Sequence, residues 1–365
     1  MSNPLLELNG LPPFSKIRPE HVKPAITELL DESRRQVEQL LQENERYSWH
    51  NLVEPLENMD DHINRAWSPV GHMNAVVNSD ALRETYNDCL PLLSEYGTEM
   101  GQHEGLYRAF RQIADSDEMS RLDTAQQKII NNALRDFRLS GIELEQDARD
   151  RYKEILQKLS QLSSRYSDNV LDATNAWHRQ ITDEQLLAGL PESARSLARQ
   201  TAEQRELNGW VFTLEFPSYF PVITYADNRE LREELYTAYV TRASDQGPHA
   251  GQWDNSALME EILALRHEAA VLLGFDNYAE RSLATKMADT TGQVMSFLQD
   301  LAGRSRPAAE KELQEVRDFA REHDGSEDLQ AWDISYYSEK LRQKKYAISQ
   351  EELKPYFPEP TVVGG

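Results

Sequence analysis

Apolar residues recur at steps of three and four along most of the chain, which is the spacing of one buried face of an α-helix. The longest stripe runs Tyr152, Ile155, Leu159, Leu162, Tyr166, Val170, Ala173 and Trp177. Such a stripe could serve as an aromatic ligand platform. Packing against a neighbouring helix, as in a coiled-coil hairpin, is the plainer expectation. The same periodicity predicts helices over residues 21–41, 48–67, 81–114 and 125–140. Pro24 is tolerable near a helix start, because first-turn amides lack intrahelical partners anyway. Pro55 is expected to bend the second helix, and Pro91 to break or kink the third. Asp123 with Gln126 has the spacing of a capping box, and Gly141 ends that run.

Further along, Thr182 with Gln185 marks a possible helix start, and Asp227 with Glu230 predicts a cap for residues 230–243. A helix is expected over 258–275, with Gly274 near its end. Thr290 and Gln293 begin another, whose apolar face is Val294, Phe297, Leu298 and Leu301. Leu313, Val316 and Ala320 carry that face on past Pro307. A helix over 332–346 and a turn capped by Ser349 with Glu352 complete the pattern. Residues 1–19, with Pro4, Pro12, Pro13 and Pro19, read as an irregular arm.

Period two appears in one place, NGWVFTLEFPSYFPVITYAD, residues 208–227. Trp210, Phe212, Leu214 and Phe216 alternate there with Val211, Thr213 and Glu215, the sign of a half-buried strand. Pro217 and Pro221 demote its second part to an edge strand or extended loop. No partner strand is visible in the rest of the chain, so pairing is expected from outside it. The fold class expected is mostly α, an elongated multi-helix domain with long helical hairpins and one small β element. Two regions are expected, 1–180 with long antiparallel helices and 181–365 containing the strand.

Composition narrows the partners. The 365 residues carry 62 Asp and Glu against 39 Lys and Arg, a formal charge of −23. Such a surface disfavours nucleic acid and anionic membranes. Cys89 is the single cysteine, so no intrachain disulfide can form, which fits a reducing compartment. The N-terminus has no basic stretch leading into an apolar run, and the cytoplasm is the default expectation.

Candidate chemistry is sparse. The stretch ALRHEAAVLLGF, residues 264–275, places Glu268 after His267 as a zinc peptidase would. The HExxH motif needs a second histidine at i+4 to share the metal, and that position is Val271. His103 and Glu104 form the other pair, and position i+4 there is Tyr107. Neither pair is a zinc motif, and His267 is expected to be structural or simply exposed. Asp245, His249 and Asp254 share a loop, but their spacing matches no strong metal pattern. Tyr336 and Tyr337 follow Trp332 and Asp333 on a predicted helix. One tyrosine could line a groove, and packing is the plainer reading. No residue is assigned a catalytic, cofactor-binding or metal-binding role.

The segments NPLL…LPPFSKIRPEHV, LSEYGTEMGQHEGLYRAF, NNALRDFRLSGIEL, LSSRYSDNVLDAT, FPSYFPVITYADNRELREELYTAYVTRASDQG, WDNSALMEEILALRHEAAVLLGFDNYAERSLATKMA and AWDISYYSEKLRQKKYAIS resemble the thimet oligopeptidase family of zinc metallopeptidases. The resemblance runs in register from near residue 3 to the last residue. It implies the N-terminal half of such an enzyme, with HExxH and the third ligand in a missing C-terminal catalytic half. Zinc is implied for the intact enzyme and not for this chain. The implied role is one wall of a channel admitting short unstructured peptides, cleaved signal peptides among them, which the cytosolic enzyme cuts at internal bonds. The intact enzyme is expected to be a monomer. This chain alone is expected to be inactive, to bare apolar surface or an unpaired strand edge, and to be able to self-associate through residues 208–226. The alternatives are a stand-alone helical peptide-binding or scaffold protein, one subunit of a split peptidase, and a different enzyme with an unrecognised site.

Overall fold

The computed structural model describes residues 3–7, 10–348 and 350–364. The helices in chain order are α1 (Pro19–Glu43), α2 (Glu54–Val76), α3 (Asp80–Gly101), α4 (Glu104–Ala114), α5 (Thr124–Leu139) and α6 (Gln146–Ala176). They continue with α7 (Glu192–Gln204), α8 (Phe216–Tyr225), α9 (Arg229–Val240), α10 (Ser256–Leu272), α11 (Tyr278–Leu283), α12 (Thr291–Asp324) and α13 (Ala331–Tyr346). The small β element is β1 (His178–Ile181) with β2 (Trp210–Thr213). The fold class is therefore mostly α with one small sheet. No helix among the described residues is long and apolar enough to cross a membrane.

Local chemistry sets most boundaries. Asp123 and Gln126 form the expected capping box, each side chain bonded to the other's backbone amide. Thr290 accepts from the Gln293 amide and starts α12. Asn228, not Asp227, caps α9, its side chain accepting from the Leu231 amide at 2.9 Å. The side chain at the turn after β1 is likewise one residue along, Asp183 instead of Thr182, and it caps only a 3₁₀ turn. The expected Ser349 cap lies outside the described residues.

The prolines act differently from expectation. Pro19 occupies the first turn of α1, so Pro24 falls a turn deeper and α1 runs through it. Pro55 sits in the first turn of α2, after a π-turn at Trp49–Val53. Helix α3 continues through Pro91, because Leu82, Cys89 and Tyr96 hold it in a packed core. The break comes instead at Gln102 and His103, where α4 begins. Core burial over several turns outweighs the one backbone bond a proline removes.

The chain divides into two compact units. The first comprises residues 1–166 and 258–287. Its core is Val22, Ile26 and Leu30 of α1 against Ile63 and Val70 of α2 and Leu82 of α3. A second cluster joins Val37 to Leu106, Phe110 and Ile113 of α4 and Ile130 and Phe137 of α5. The α6 stripe packs on α10: Tyr152 and Ile155 meet Ala269, and Leu162 meets Leu258 and Ile262. Leu159 is partly buried in both contacts, and Tyr166 is 38% exposed. Ala173 and Trp177 at the far end are buried as well, so the expectation of a core stripe holds at both ends and fails at Tyr166.

The second unit comprises residues 167–257 and 288–365. Here β1 pairs antiparallel with β2, Ile181 opposite Trp210 and His178 opposite Thr213. This corrects the expectation of an external partner strand. The partner HRQI is short and polar, and its first three residues are exposed, so no apolar alternation announces it. All four residues of β2 are buried, on both faces of the strand. Gly209 makes the approach possible, with φ +85° and a position where a Cβ would lie 2.2 Å from the Ile181 carbonyl oxygen. Residues 216–225 are not an edge strand or loop but helix α8, with Pro217 in its first turn where a missing amide hydrogen costs nothing. Phe212, Leu214, Val222, Leu187 and Leu235 form the centre of this unit's core. Helix α7 covers β2 with Ala194, Ala198 and Ala202, a face of small residues that carries little periodic signal.

Candidate functional site

The two His–Glu pairs have structural partners. Arg151 of α6 grips Glu268 of α10 in bidentate fashion, Nε to Oε1 at 2.6 Å and Nη2 to Oε2 at 2.8 Å. That hydrogen bonding holds the Glu268 carboxyl below its usual range. His267 is exposed, and Val271 one turn on is 52% exposed. The Arg151–Glu268 pair therefore fastens α6 to α10.

His103 is the N-cap of α4. Its Nδ1 accepts from the Leu106 amide at 3.3 Å, and its Nε2 lies 3.2 Å from Glu38 Oε1. Replacing His103 by alanine is expected to cost about 0.5–2 kcal/mol, the range for a lost cap. Asparagine at the same position should recover most of it. Urea unfolding of the three proteins measures this, and an unchanged midpoint in His103→Ala would mean the cap contributes nothing.

In the loop before α10, Asp254 Oδ1 accepts from the Ser256 hydroxyl at 2.7 Å and the Ser256 amide at 2.9 Å. These bonds keep its carboxyl low. The His249 ring meets Trp253 edge-on at 5.4 Å between centroids. Among the described residues no three His, Cys, Asp or Glu side chains come together in a way that could hold a metal ion. Cys89 is buried, and burial pushes its thiol up to about 11, far from a reactive thiolate at neutral pH.

A polar centre that the sequence reading did not assemble lies between α9 and α13. Asp333 has no exposed side-chain surface. It accepts from Arg232 Nη2 at 2.8 Å, Arg229 Nη2 at 2.8 Å and the Gln330 amide at 3.0 Å. Burial pushes the Asp333 carboxyl up, and the bonds from Arg229, Arg232 and Gln330 outweigh it, leaving it below the usual range. Arg232 also donates to the Ala226 carbonyl at 2.7 Å and lies 4.1 Å from the centre of the Tyr336 ring. Tyr336 donates to Asp227 at 2.9 Å, and Tyr337 to Asp324 at 2.7 Å. Both tyrosine rings are buried. The one available signal was Arg229 and Arg232 at i, i+3, which share a helix face. Every oxygen of this carboxylate is engaged, so the centre clamps two helices and has no free base to offer.

The second unit also leaves apolar surface bare. Met295, Phe297, Leu298 and Leu301 on the first half of α12 are exposed by between 50% and 66%. Val316, Phe319 and Ala320 on its second half are buried against α13. One helix thus has a packed half and an apolar half that the described residues of this unit leave largely exposed. Monomeric surfaces seldom leave such residues clustered without use.

Comparison with known proteins gives consistent matches. Residues 222–365 match the profile "Peptidase family M3", and residues 26–149 match "Neurolysin/Thimet oligopeptidase, N-terminal domain". The chain is 57% identical over 365 residues to Oligopeptidase A of Escherichia coli (strain K12), covering 100% of this chain and 54% of that protein. It is 55% identical to Oligopeptidase A of Haemophilus influenzae, with the same coverage. Against the Probable cytosolic oligopeptidase A of Arabidopsis thaliana it is 39% identical over 371 residues, covering 99% of this chain and 52% of the relative. The chain spans about half the length of these curated relatives, and the match lies in their N-terminal part.

Proposed function

The chain belongs to the thimet oligopeptidase family of M3 peptidases, and on that premise we propose that it is the peptide-admitting, non-catalytic part of a cytosolic zinc oligopeptidase. The observation that carries this reading is the end-to-end match at 57% identity to about half of an oligopeptidase A. The family implies zinc, and these residues would have to supply its ligands. They do not fit: the two His–Glu pairs lack a histidine at i+4, Glu268 is held by Arg151, and His103 caps a helix. No step of metal chemistry is therefore assigned to this chain.

In this reading the metal ligands come from a segment outside these residues. Residues 181–365 form one wall of the channel, and the bare half of α12 is a surface on which the catalytic half rests. The substrates are short unstructured peptides, cleaved signal peptides among them, cut at internal bonds. The intact enzyme is a monomer. Self-association of this chain would then run through the bare apolar face of α12, not through the buried strand at residues 210–213.

Metal analysis of the purified chain tests the assignment. The expected result is zinc well below one equivalent after dialysis, and no change in unfolding midpoint on adding zinc. Stoichiometric zinc that withstands dialysis would place a ligand set within these residues and overturn the reading. The internal pairing of β2 favours one alternative, a stand-alone peptide-binding protein. Saturable binding of an unstructured peptide by this chain alone, unaffected by a catalytic half, would favour that alternative.

A further inference from the structure

Asparagine or aspartate precedes glycine at three places in the chain, Asn9–Gly10, Asn208–Gly209 and Asp324–Gly325. In such a pair the glycine backbone nitrogen can attack the side-chain carbonyl carbon before it and close a succinimide ring. Glycine has no Cβ to hinder that attack, and the two reacting groups are joined through a single residue. The fold decides which pair is free to react. Asn9 lies outside the described residues. At the third pair both reactants are held. The Gly325 amide donates to the Arg321 carbonyl at 3.1 Å, and Asp324 accepts from Tyr337 at 2.7 Å and from the Ser326 amide at 3.2 Å. Burial pushes the Asp324 carboxyl up, and the bonds from Tyr337 and Ser326 outweigh it, leaving it below the usual range. An aspartate closes the ring only as the neutral acid, so this pair is protected.

The second pair has neither restraint. Asn208 is exposed in the bend between α7 and β2. Neither its side chain nor the Gly209 amide has a hydrogen-bond partner among the described residues. The strand ladder begins one residue later, at Trp210. The glycine is nevertheless required, because a Cβ there would lie 2.2 Å from the Ile181 carbonyl oxygen. The close approach of β1 therefore fixes the reactive half of the pair, and the open bend leaves the other half unprotected.

We propose that Asn208–Gly209 is a site of spontaneous deamidation in the folded chain, converting Asn208 mainly to isoaspartate. The deprotonated Gly209 nitrogen bonds to Asn208 Cγ, the Cγ–Nδ2 bond breaks, and Nδ2 takes a proton from water and leaves as ammonia. Water, the one co-reactant, then opens the ring, and nothing is oxidised or reduced. Opening at Cγ leaves aspartate. Opening at the main-chain carbon passes the chain through the side-chain carbon and leaves isoaspartate. That carbon lies nearer the electron-withdrawing backbone nitrogen of residue 208 and is the more electrophilic. In isoaspartate the carbonyl that accepts from Gln180 Nε2 at 2.8 Å becomes part of a free carboxylate, and an extra carbon enters the chain just before β2. The site does not depend on the peptidase reading.

Incubating the native chain at mildly alkaline pH in heavy-oxygen water, followed by peptide mapping in a mass spectrometer, tests it. The reference is a synthetic peptide of residues 206–212. The expected result is oxygen label at position 208, with isoaspartate exceeding aspartate, at a rate within about tenfold of the free peptide's, since no native hydrogen bond has to open first. Asp324 stays unlabelled. Amide exchange at Trp210–Thr213 should quicken in the aged chain and stay slow in Asn208→Ser aged alongside it, because the Asn208 side chain makes no bond for the variant to lose. No label at position 208, label at Asn9 or Asp324 in its place, or a rate more than about tenfold below the peptide's would each overturn the proposal.

Discussion

Replacing Asp333 by alanine is expected to destabilise the second unit by about 3–5 kcal/mol, the range for breaking a buried ion pair. The reason lies in what remains. Arg232 has 2% of its side chain exposed and would keep a buried guanidinium without its carboxylate. Arg229, about half exposed, can turn to water and adds little. Removing both charges is different. Arg232→Met with Asp333→Leu should recover most of the loss, because the desolvation cost of both ions disappears with them. The dependence on pH has a definite sign. The folded carboxyl lies below its ordinary value, so its contribution is complete above about pH 4 and is lost as pH falls through the depressed value. The gap between the native protein and Asp333→Ala should therefore narrow in acid. Urea unfolding followed by circular dichroism measures all three proteins, and a loss below about 1 kcal/mol for Asp333→Ala would mean that the clamp is dispensable.

Phe212→Ala is expected to cost about 3–5 kcal/mol, the range for removing an aromatic side chain from a packed core. Phe212 is 1% exposed, in the middle of β2 and opposite Arg179 of β1. The prediction separates two pictures of this strand. A strand waiting for an external partner would tolerate the change in the isolated chain. A strand completed by β1 and covered by α7 and α8 would not. Amide exchange at Trp210–Thr213 gives a second readout, expected to be slow in the isolated chain. Fast exchange together with a loss under about 1 kcal/mol would restore the idea of an external partner.

How much the sequence disclosed depended on the strength of each local signal. The α6 stripe was legible because eight apolar residues hold one helical period, and α10 buries its first half. The caps at Asp123 and Thr290 were legible because a short side chain can satisfy only nearby amides. Strand β1 was not, since HRQI is polar and draws its conformation from β2. Helix α7 was missed because its buried face is alanine. Residues 216–225 misled because their prolines read as strand breakers when Pro217 sits in a helix's first turn. The absent zinc motif was visible directly at Val271 and Tyr107. The Asp333 centre was not, because residues 104 and 101 positions apart meet only through the tertiary fold.

Hydrolysis of an internally quenched short peptide tests the peptidase reading most directly. The chain would be assayed alone, then mixed with a separately expressed C-terminal part of an oligopeptidase A relative, the part beyond the match. The expected result is no cleavage by the chain alone, and cleavage at an internal bond in the mixture, abolished by a chelator and restored by zinc. Chelator-sensitive cleavage by this chain alone, or full activity of the other part with no gain from this chain, would contradict it.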